Sequence, residues 1–374
     1  MSVLERRMGL GDLTDVIAPE RVIGIPAGGV RHLAYDSRRV VDGTLFFAVP
    51  GVHVDGHDYA AEAVRAGAIA VVAEREIAGL EVPQLIVRRT RDALADAADA
   101  WLNQPSKRLH VIGITGTDGK TTTAFLAHAV LSAAGRRPGM IGTVAVVVGR
   151  QMRPNPNRNT TPEALELQEL LARMVAAGND SVVMEATSHG LAQSRVRNAR
   201  FAVGVLTNLT SEHLEFHGSL ENYRAAKALL FEEAPISILN ADDASFAYFR
   251  ERARDRVVTY AVEADADLRA GEVSPDGDGT TFRLLAPGWS GRVRVPMPGA
   301  FNVHNALAAL ALAHVEGVDL GVAAEAIAAS RGVPGRMEIV DLGQPFSVVV
   351  DYAHTADSLE KVLRVLRPLA TGRL

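Results

Sequence analysis

The chain has no cysteine, which excludes disulfides, thiolate metal sites and a cysteine nucleophile together, and agrees with a reducing compartment. It lacks a basic excess: 39 Lys and Arg stand against 44 Asp and Glu, for a net charge of -5. No basic stripe is present, so the electrostatic footprint of a nucleic-acid binder is missing. No apolar run reaches the length of a membrane span, and the opening MSVLERRMGLGDL has no apolar h-region. A soluble, cytoplasmic protein without membrane or nucleic-acid partners is expected. Internal repeats and low-complexity tracts are also missing. What the chain does have is 374 residues, 48% of them hydrophobic, more than one core usually serves. Two or three domains follow.

The stretch GITGTDGKTTT, Gly113 to Thr123, carries the strongest signal. Before it, Leu109 to Ile114 reads as a short buried strand; after it, Phe125, Leu126, Ala129, Val130 and Ala133 recur at helical spacing until Gly135 offers a cap. A glycine turn between strand and helix turns backbone N–H groups onto phosphate oxygens. Lys120 adds a point charge and Thr121 a hydroxyl for Mg²⁺. The spacing departs from a strict Walker A pattern, because five residues separate Gly113 from Gly119 and Ile114 takes a glycine position. An ordinary glycine turn is the competing reading, and the strand and helix on either side favour the nucleotide.

The fold class expected is α/β. Short apolar runs at 44–49 and 68–73, with helical patterns at 59–66 and 90–102, make a small amino-terminal α/β domain over 1–105. Strand-like runs at Val111, Val182, Val203 and Ile236 alternate with helices, so 106–333 is a P-loop-type domain with a mostly parallel sheet. Residues 265–296 alternate like antiparallel strands, with turn signals at Pro275-Asp276-Gly277 and Asp278-Gly279, and helical signal returns at 305–315. A strand at 346–351 and a helix at 358–366 begin a Rossmann-like third domain over 334–374. One strand and one helix cannot bury a core, so the rest of that domain is expected to be missing.

Ligands of parallel α/β sheets bind beyond the carboxyl ends of strands. Glu185 ends the run Ser181 to Glu185 and is placed to hold Mg²⁺ opposite the cradle, with a solvated glutamate as the alternative. His213 follows another strand end and could be a second ligand or a structural histidine. Lys227, on a helical run, reads by itself as a surface charge.

Together these strings resemble the Mur ligase family, and within it the branch that adds the third residue to UDP-N-acetylmuramoyl-L-alanyl-D-glutamate. The resemblance spans essentially the whole chain, through YDSRRV, PGVHVDGHDYAAEAVRAGA, GITGTDGKTTT, NTTPEALELQELL, VMEATSHGLAQSRV, TNLTSEHLEFHG, YRAAKALLF, GAFNVHNALAA, VPGRMEIV and VVDYAHTADSLEKVL. It implies an ATP-dependent, ADP-forming amide ligase in which the substrate carboxylate takes the γ-phosphate and an amino group attacks the acyl phosphate. It implies ATP and Mg²⁺ as cofactors, the UDP-linked dipeptide and a diamino acid as partners, and a monomer in peptidoglycan synthesis. By the same transfer, Gly116, Thr117, Asp118, Gly119, Lys120, Thr121 and Thr122 hold phosphates, while Asn305, Arg336 and Asp351 meet base, phosphate and ribose. Lys120, Glu185, His213 and Lys227 become catalytic, the metal set being Thr121, Glu185, His213 and a carbamylated Lys227. Tyr35, Ser37, Val52, His53 and Val54 face the uridine diphosphate end; Asn159, Thr160, Thr161, Thr187, Gln193 and Arg195 face the muramoyl-dipeptide.

Three departures stand out. The family's GTNGKTT is GTDGKTT here, so Asp118 sets a negative charge beside bound phosphates. DHLD becomes Glu212-His213-Leu214-Glu215, and SSH becomes Thr187-Ser188-His189. The DNPR-like motif that reads the amine does not occur, which leaves diaminopimelate and lysine undistinguished and makes efficient turnover by this chain doubtful. A non-catalytic UDP-sugar- and ATP-binding remnant and a folylpolyglutamate synthase-like ligase are the alternatives. The DSR block argues against the latter.

Overall fold

Apolar strands that lie between helices in sequence assemble into two large sheets, each in its own compact unit, with two further two-stranded ribbons among the described residues. The computed structural model describes residues 7–51, 54–157, 159–210, 212–275, 279–354, 356–370 and 372. One unit gathers residues 1–109, 161–178 and 189–200; the other gathers 110–160, 179–188 and 201–374. Among the described residues no helix is long and apolar enough to cross a membrane.

The first unit holds a five-stranded sheet in the order Arg21–Ile23, Gln84–Ile86, Ala68–Ala73, Thr44–Phe47, His32–Ala34. All neighbours run parallel except the outer pair Arg21–Ile23 and Gln84–Ile86. Thr44–Phe47 is buried along its whole length, which is why it reads as a continuous apolar run rather than an alternation. Helix Thr90–Trp101 packs against helix Ala164–Ala176, and Ala164 and Ala172 of the latter join the core formed by Leu45, Phe47, Val72 and Trp101. This second helix comes from a distant part of the sequence, and nothing in its apolar spacing announces that address.

The second unit is built on eleven strands in the order Gln151–Pro154, Ala145–Val148, Pro138–Ile141, Ser181–Glu185, His110–Thr115, Phe201–Leu206, Ile236–Asn240, Arg256–Ala261, Leu268–Pro275, Thr280–Ala286, Trp289–Val295. From Pro138–Ile141 to Leu268–Pro275 every pair is parallel, as the alternation of strands and helices implies. The antiparallel strands foreseen over 265–296 are present at one edge. Residues 276–278 of the expected turns lie outside the described residues. At the other edge, the antiparallel strands Ala145–Val148 and Gln151–Pro154 were not legible from the alternation.

Helix Phe301–Val315 is buried on nearly every side, from Asn302 to Ala313, as expected of a helix apolar all round. It packs against helix Lys120–Ala133 and so lies behind the phosphate turn. It begins four residues before the apolar pattern does, because Asn302 anchors the first turn: its Nδ2 donates to the Pro298 carbonyl at 2.9 Å. The carboxyl-terminal segment forms the hairpin Glu338–Val340 with Val348–Val350 and the helix Ala356–Leu369.

Candidate active site

The cradle lies where strand His110–Thr115 gives way to helix Lys120–Ala133. Gly116 has φ +147°, and a Cβ there would fall 1.9 Å from Thr207 Oγ1, so the loop lies directly on the end of strand Phe201–Leu206. That neighbouring loop holds the cradle peptide by peptide. Thr117 N donates to the Asn208 carbonyl at 2.8 Å, and Asp118 N to Asn208 Oδ1 at 3.0 Å. The Asp118 carbonyl accepts from Thr207 Oγ1 at 2.6 Å and Asn208 Nδ2 at 3.1 Å. Thr117 Oγ1 lies 3.0 Å from the hydroxyl of Tyr223, which is fully buried. Thr207, Asn208 and Tyr223 are functional supports that the sequence reading missed; the string TNLT, at the end of a strand, was the available signal.

With the loop fixed, the first-turn N–H groups of the helix have no intrahelical acceptor and favour an anion. Lys120 Nζ donates to the carbonyls of Gly116 at 2.9 Å and Thr117 at 2.6 Å. Burial lowers its pKa, with Glu185, Glu212 and Asp118 opposing that shift. Asn305, 5% exposed, supports the turn from behind: a Cβ on Gly119 would fall 2.2 Å from its Oδ1.

Glu185 is 1% exposed at the end of its strand. It accepts from Thr121 Oγ1 at 3.0 Å, Thr143 N at 2.8 Å and Thr143 Oγ1 at 3.0 Å. A buried carboxylate facing two hydroxyls is an all-oxygen donor set of the kind a hard cation takes, so Thr121 and Glu185 fit Mg²⁺. Thr143 belongs to this group without having been foreseen; its hydroxyl also lies 2.9 Å from that of Thr160. Asn159 is near Thr160 in the same unit, its carbonyl accepting from Asn155 Nδ2 at 3.4 Å. Thr187 is half-buried just beyond Glu185.

Lys227 is 1% exposed, not the surface charge its helical position suggests. Its Nζ donates to the Gly116 carbonyl at 2.7 Å and lies 4.5 Å from the Tyr223 ring centre. Burial first, then the positive charge of Lys120, push its pKa well below the ordinary lysine range. His213 is partly exposed, 3.4 Å from Glu215 and 3.7 Å from Glu212, with its ring edge-on to Tyr223. Among the described residues no three His, Asp or Glu side chains gather as a metal ligand set.

Arg336 reaches Thr121, its Nη2 donating to Oγ1 at 3.5 Å, and its guanidinium lies 4.7 Å from the Tyr352 ring centre. The Asp351 carboxylate accepts from Met337 N at 2.7 Å and Ala353 N at 2.8 Å, tying that segment together. Asp118 is half-exposed, and its Oδ2 lies 3.8 Å from Lys361 Nζ on helix Ala356–Leu369.

In the first unit, Tyr35 donates to Glu166 Oε1 at 2.7 Å. Ser37 opens a short turn capped by Asp36, whose pKa is lowered mainly by its bond to Arg38. Val54 is exposed, and its carbonyl accepts from Gly51 N at 2.9 Å; Val52 and His53 lie outside the described residues. Arg195 donates to the Thr161 carbonyl at 3.1 Å and to Gln193 Oε1 at 2.7 Å, which brings three of the expected substrate residues together.

A glycine turn from parallel strand to helix, with a buried lysine and a buried carboxylate at the carboxyl ends of the central strands, defines an α/β nucleotide-binding protein of the phosphate-cradle class. The chain belongs to the Mur ligase family: residues 29–102 match the family's "catalytic domain", 114–313 its "middle domain" and 335–374 its "glutamate ligase domain". It is 42% identical over 354 residues to the UDP-N-acetylmuramoyl-L-alanyl-D-glutamate--2,6-diaminopimelate ligase of Bacillus licheniformis, covering 92% of this chain and 72% of that protein. To the protein of the same name from Geobacillus kaustophilus it is 45% identical over 347 residues, covering 90% and 70%. A solved structure of a ligase of that name aligns with a TM-score of 0.81 at 31% identity, over 95% of this chain and 74% of that one.

Proposed function

We propose that the chain is an ATP-dependent, ADP-forming ligase that joins an amino acid to the terminal carboxylate of UDP-N-acetylmuramoyl-L-alanyl-D-glutamate, with 2,6-diaminopimelate as the amine. The observation that carries the chemistry is the contact between Thr121 and Glu185, buried beside the cradle lysine. The named relatives support the substrate. The domain division proposed is 1–105, 106–333 and 334–374.

In this reading Gly116 to Thr122 hold the phosphates, and Lys120 and Arg336 offset the charge that grows on the transferring oxygens. Asn305 and Asp351 serve the base and ribose. Thr121 and Glu185, with His213 and a carbamylated Lys227, would hold Mg²⁺, which when bound polarises phosphate oxygens. The lowered Lys227 pKa supports carbamylation, since only the uncharged amine attacks CO₂. Tyr35, Ser37, Val52, His53 and Val54 hold the uridine diphosphate, while Asn159, Thr160, Thr161, Thr187, Gln193 and Arg195 hold the muramoyl-dipeptide. A monomeric state and a cytoplasmic location belong to the same proposal, to be checked by light scattering and fractionation.

The test is to incubate the protein with the UDP-linked dipeptide, Mg·ATP and either diaminopimelate or lysine, measuring phosphate release and tripeptide. Slow turnover is expected, because the DNPR-like motif that reads the amine does not occur in this chain, and the tripeptide that forms should contain diaminopimelate rather than lysine. Intact nucleotide binding with no product from either amine would count against the reading. Lys227→Ala is expected to lose turnover and regain part of it with added short-chain carboxylates.

A further inference from the structure

In the first unit two arginines share one carboxylate. Arg91 Nη1 donates to Glu163 Oε2 at 2.9 Å, while Glu163 Oε1 lies 2.9 Å from Arg195 Nε, off the N–H axis, an ionic rather than a hydrogen-bonding contact. The three side chains are only 21%, 17% and 11% exposed, so water screens them weakly. Glu166, 16% exposed, also acts on Arg195, whereas its own partner Arg39, 3.1 Å away, is 69% exposed and screened by water. Two guanidinium groups thus face Glu163, and moving that carboxylate would leave both poorly matched in a place where an unpaired charge is costly.

Thr161 and Gln193 fix the other end of Arg195, each taking one N–H from a different terminal nitrogen. One further N–H remains on each of those nitrogens, the number that a two-point bond to a carboxylate uses.

We propose that Glu163 and Arg91 are positioning residues for acid recognition: Arg91 pins Glu163, and Glu163 sets the Arg195 fork so that its remaining N–H groups meet an acidic peptide group. The proposal rests on the reading that Arg195 meets an acid of the substrate. It adds two residues to which that reading gives no role.

The test is calorimetric, with UDP-N-acetylmuramoyl-L-alanyl-D-glutamate and UDP-N-acetylmuramic acid as separate ligands. Wild type is compared with Arg91→Gln, Glu163→Gln, Arg195→Gln and the Glu163→Gln/Arg195→Gln double variant. Arg91→Gln and Glu163→Gln should each weaken the dipeptide ligand about tenfold while leaving UDP-N-acetylmuramic acid within about twofold. Glu163→Gln should add nothing in the Arg195→Gln background. Equal weakening of both ligands, no weakening of either, or a full extra loss in the double variant overturns the proposal. If Arg195→Gln itself leaves the dipeptide affinity unchanged, the reading of Arg195 falls and the positioning role with it. If Arg195→Gln weakens binding but Glu163→Gln does not, only the positioning role falls.

Discussion

A methyl group at Gly116 would collide with Thr207 Oγ1 at 1.9 Å, on a backbone whose φ of +147° side chains rarely adopt. Gly116→Ala must move either the loop or the end of strand Phe201–Leu206, and the second holds the first in place through Thr207 and Asn208. Loss of more than about 2 kcal/mol of stability and of measurable nucleotide binding is expected, read by thermal unfolding and ATP titration. Far from the cradle, Glu316 is buried between His110 at 2.7 Å and Arg136, and the pull of both outweighs burial to lower its pKa. A carboxylate with a lowered folded pKa contributes stability above its unfolded pKa and loses it as pH falls through the folded one. Glu316→Gln should thus cost about 2–4 kcal/mol at neutral pH, the gap to wild type closing below the ordinary carboxylate range in a pH series of unfolding curves.

Among elements, the loop after strand Phe201–Leu206 matters as much as the cradle it holds. Asn208 bonds both the N–H and the carbonyl of Asp118 through one side chain. Asn208→Ala leaves the Asp118 N–H without its partner and the carbonyl with Thr207 Oγ1 alone, and is expected to cost about 1–3 kcal/mol, with weaker ATP binding. Tyr223→Phe removes only the hydroxyl at Thr117 and should cost about 1 kcal/mol, seen in the same titration. The cradle itself was legible because glycine spacing, strand and helix are local signals. Thr207, Asn208 and Tyr223 were not, because they act across strand neighbours, and a parallel pairing leaves no trace in the order of residues. Lys227 shows the same limit: spacing places it on a helix, while its burial depends on the Gly116 loop more than a hundred positions away. Helix Ala164–Ala176 buries one face, yet the core that Ala164 and Ala172 join is assembled from residues near the amino terminus.

The molecule's two units are joined by five chain crossings, at 109/110, 160/161, 178/179, 188/189 and 200/201. Neither unit is one continuous stretch, so cutting at the first crossing removes helix Ala164–Ala176 from the bed formed by Thr90–Trp101. A fragment of residues 1–109 should lack a cooperative thermal transition by circular dichroism, because Trp101 and its neighbours lose a covering helix. The contact between Asp118 and Lys361 also acts at this scale, since it ties the cradle to the last helix by charge alone. Exposed pairs of this kind contribute little to folding, but they are sensitive to dissolved salt. Lys361 offsets the carboxylate that sits beside the phosphate turn, so ionic strength becomes a variable controlling nucleotide affinity. Lys361→Ala should weaken ATP binding in dilute buffer, and the defect should fade as the Debye length shrinks from about 10 Å to about 3 Å. Adding Asp118→Asn should abolish the salt dependence of that defect, so that Lys361→Ala has the same small effect on ATP affinity in the Asp118→Asn background from dilute buffer to molar salt.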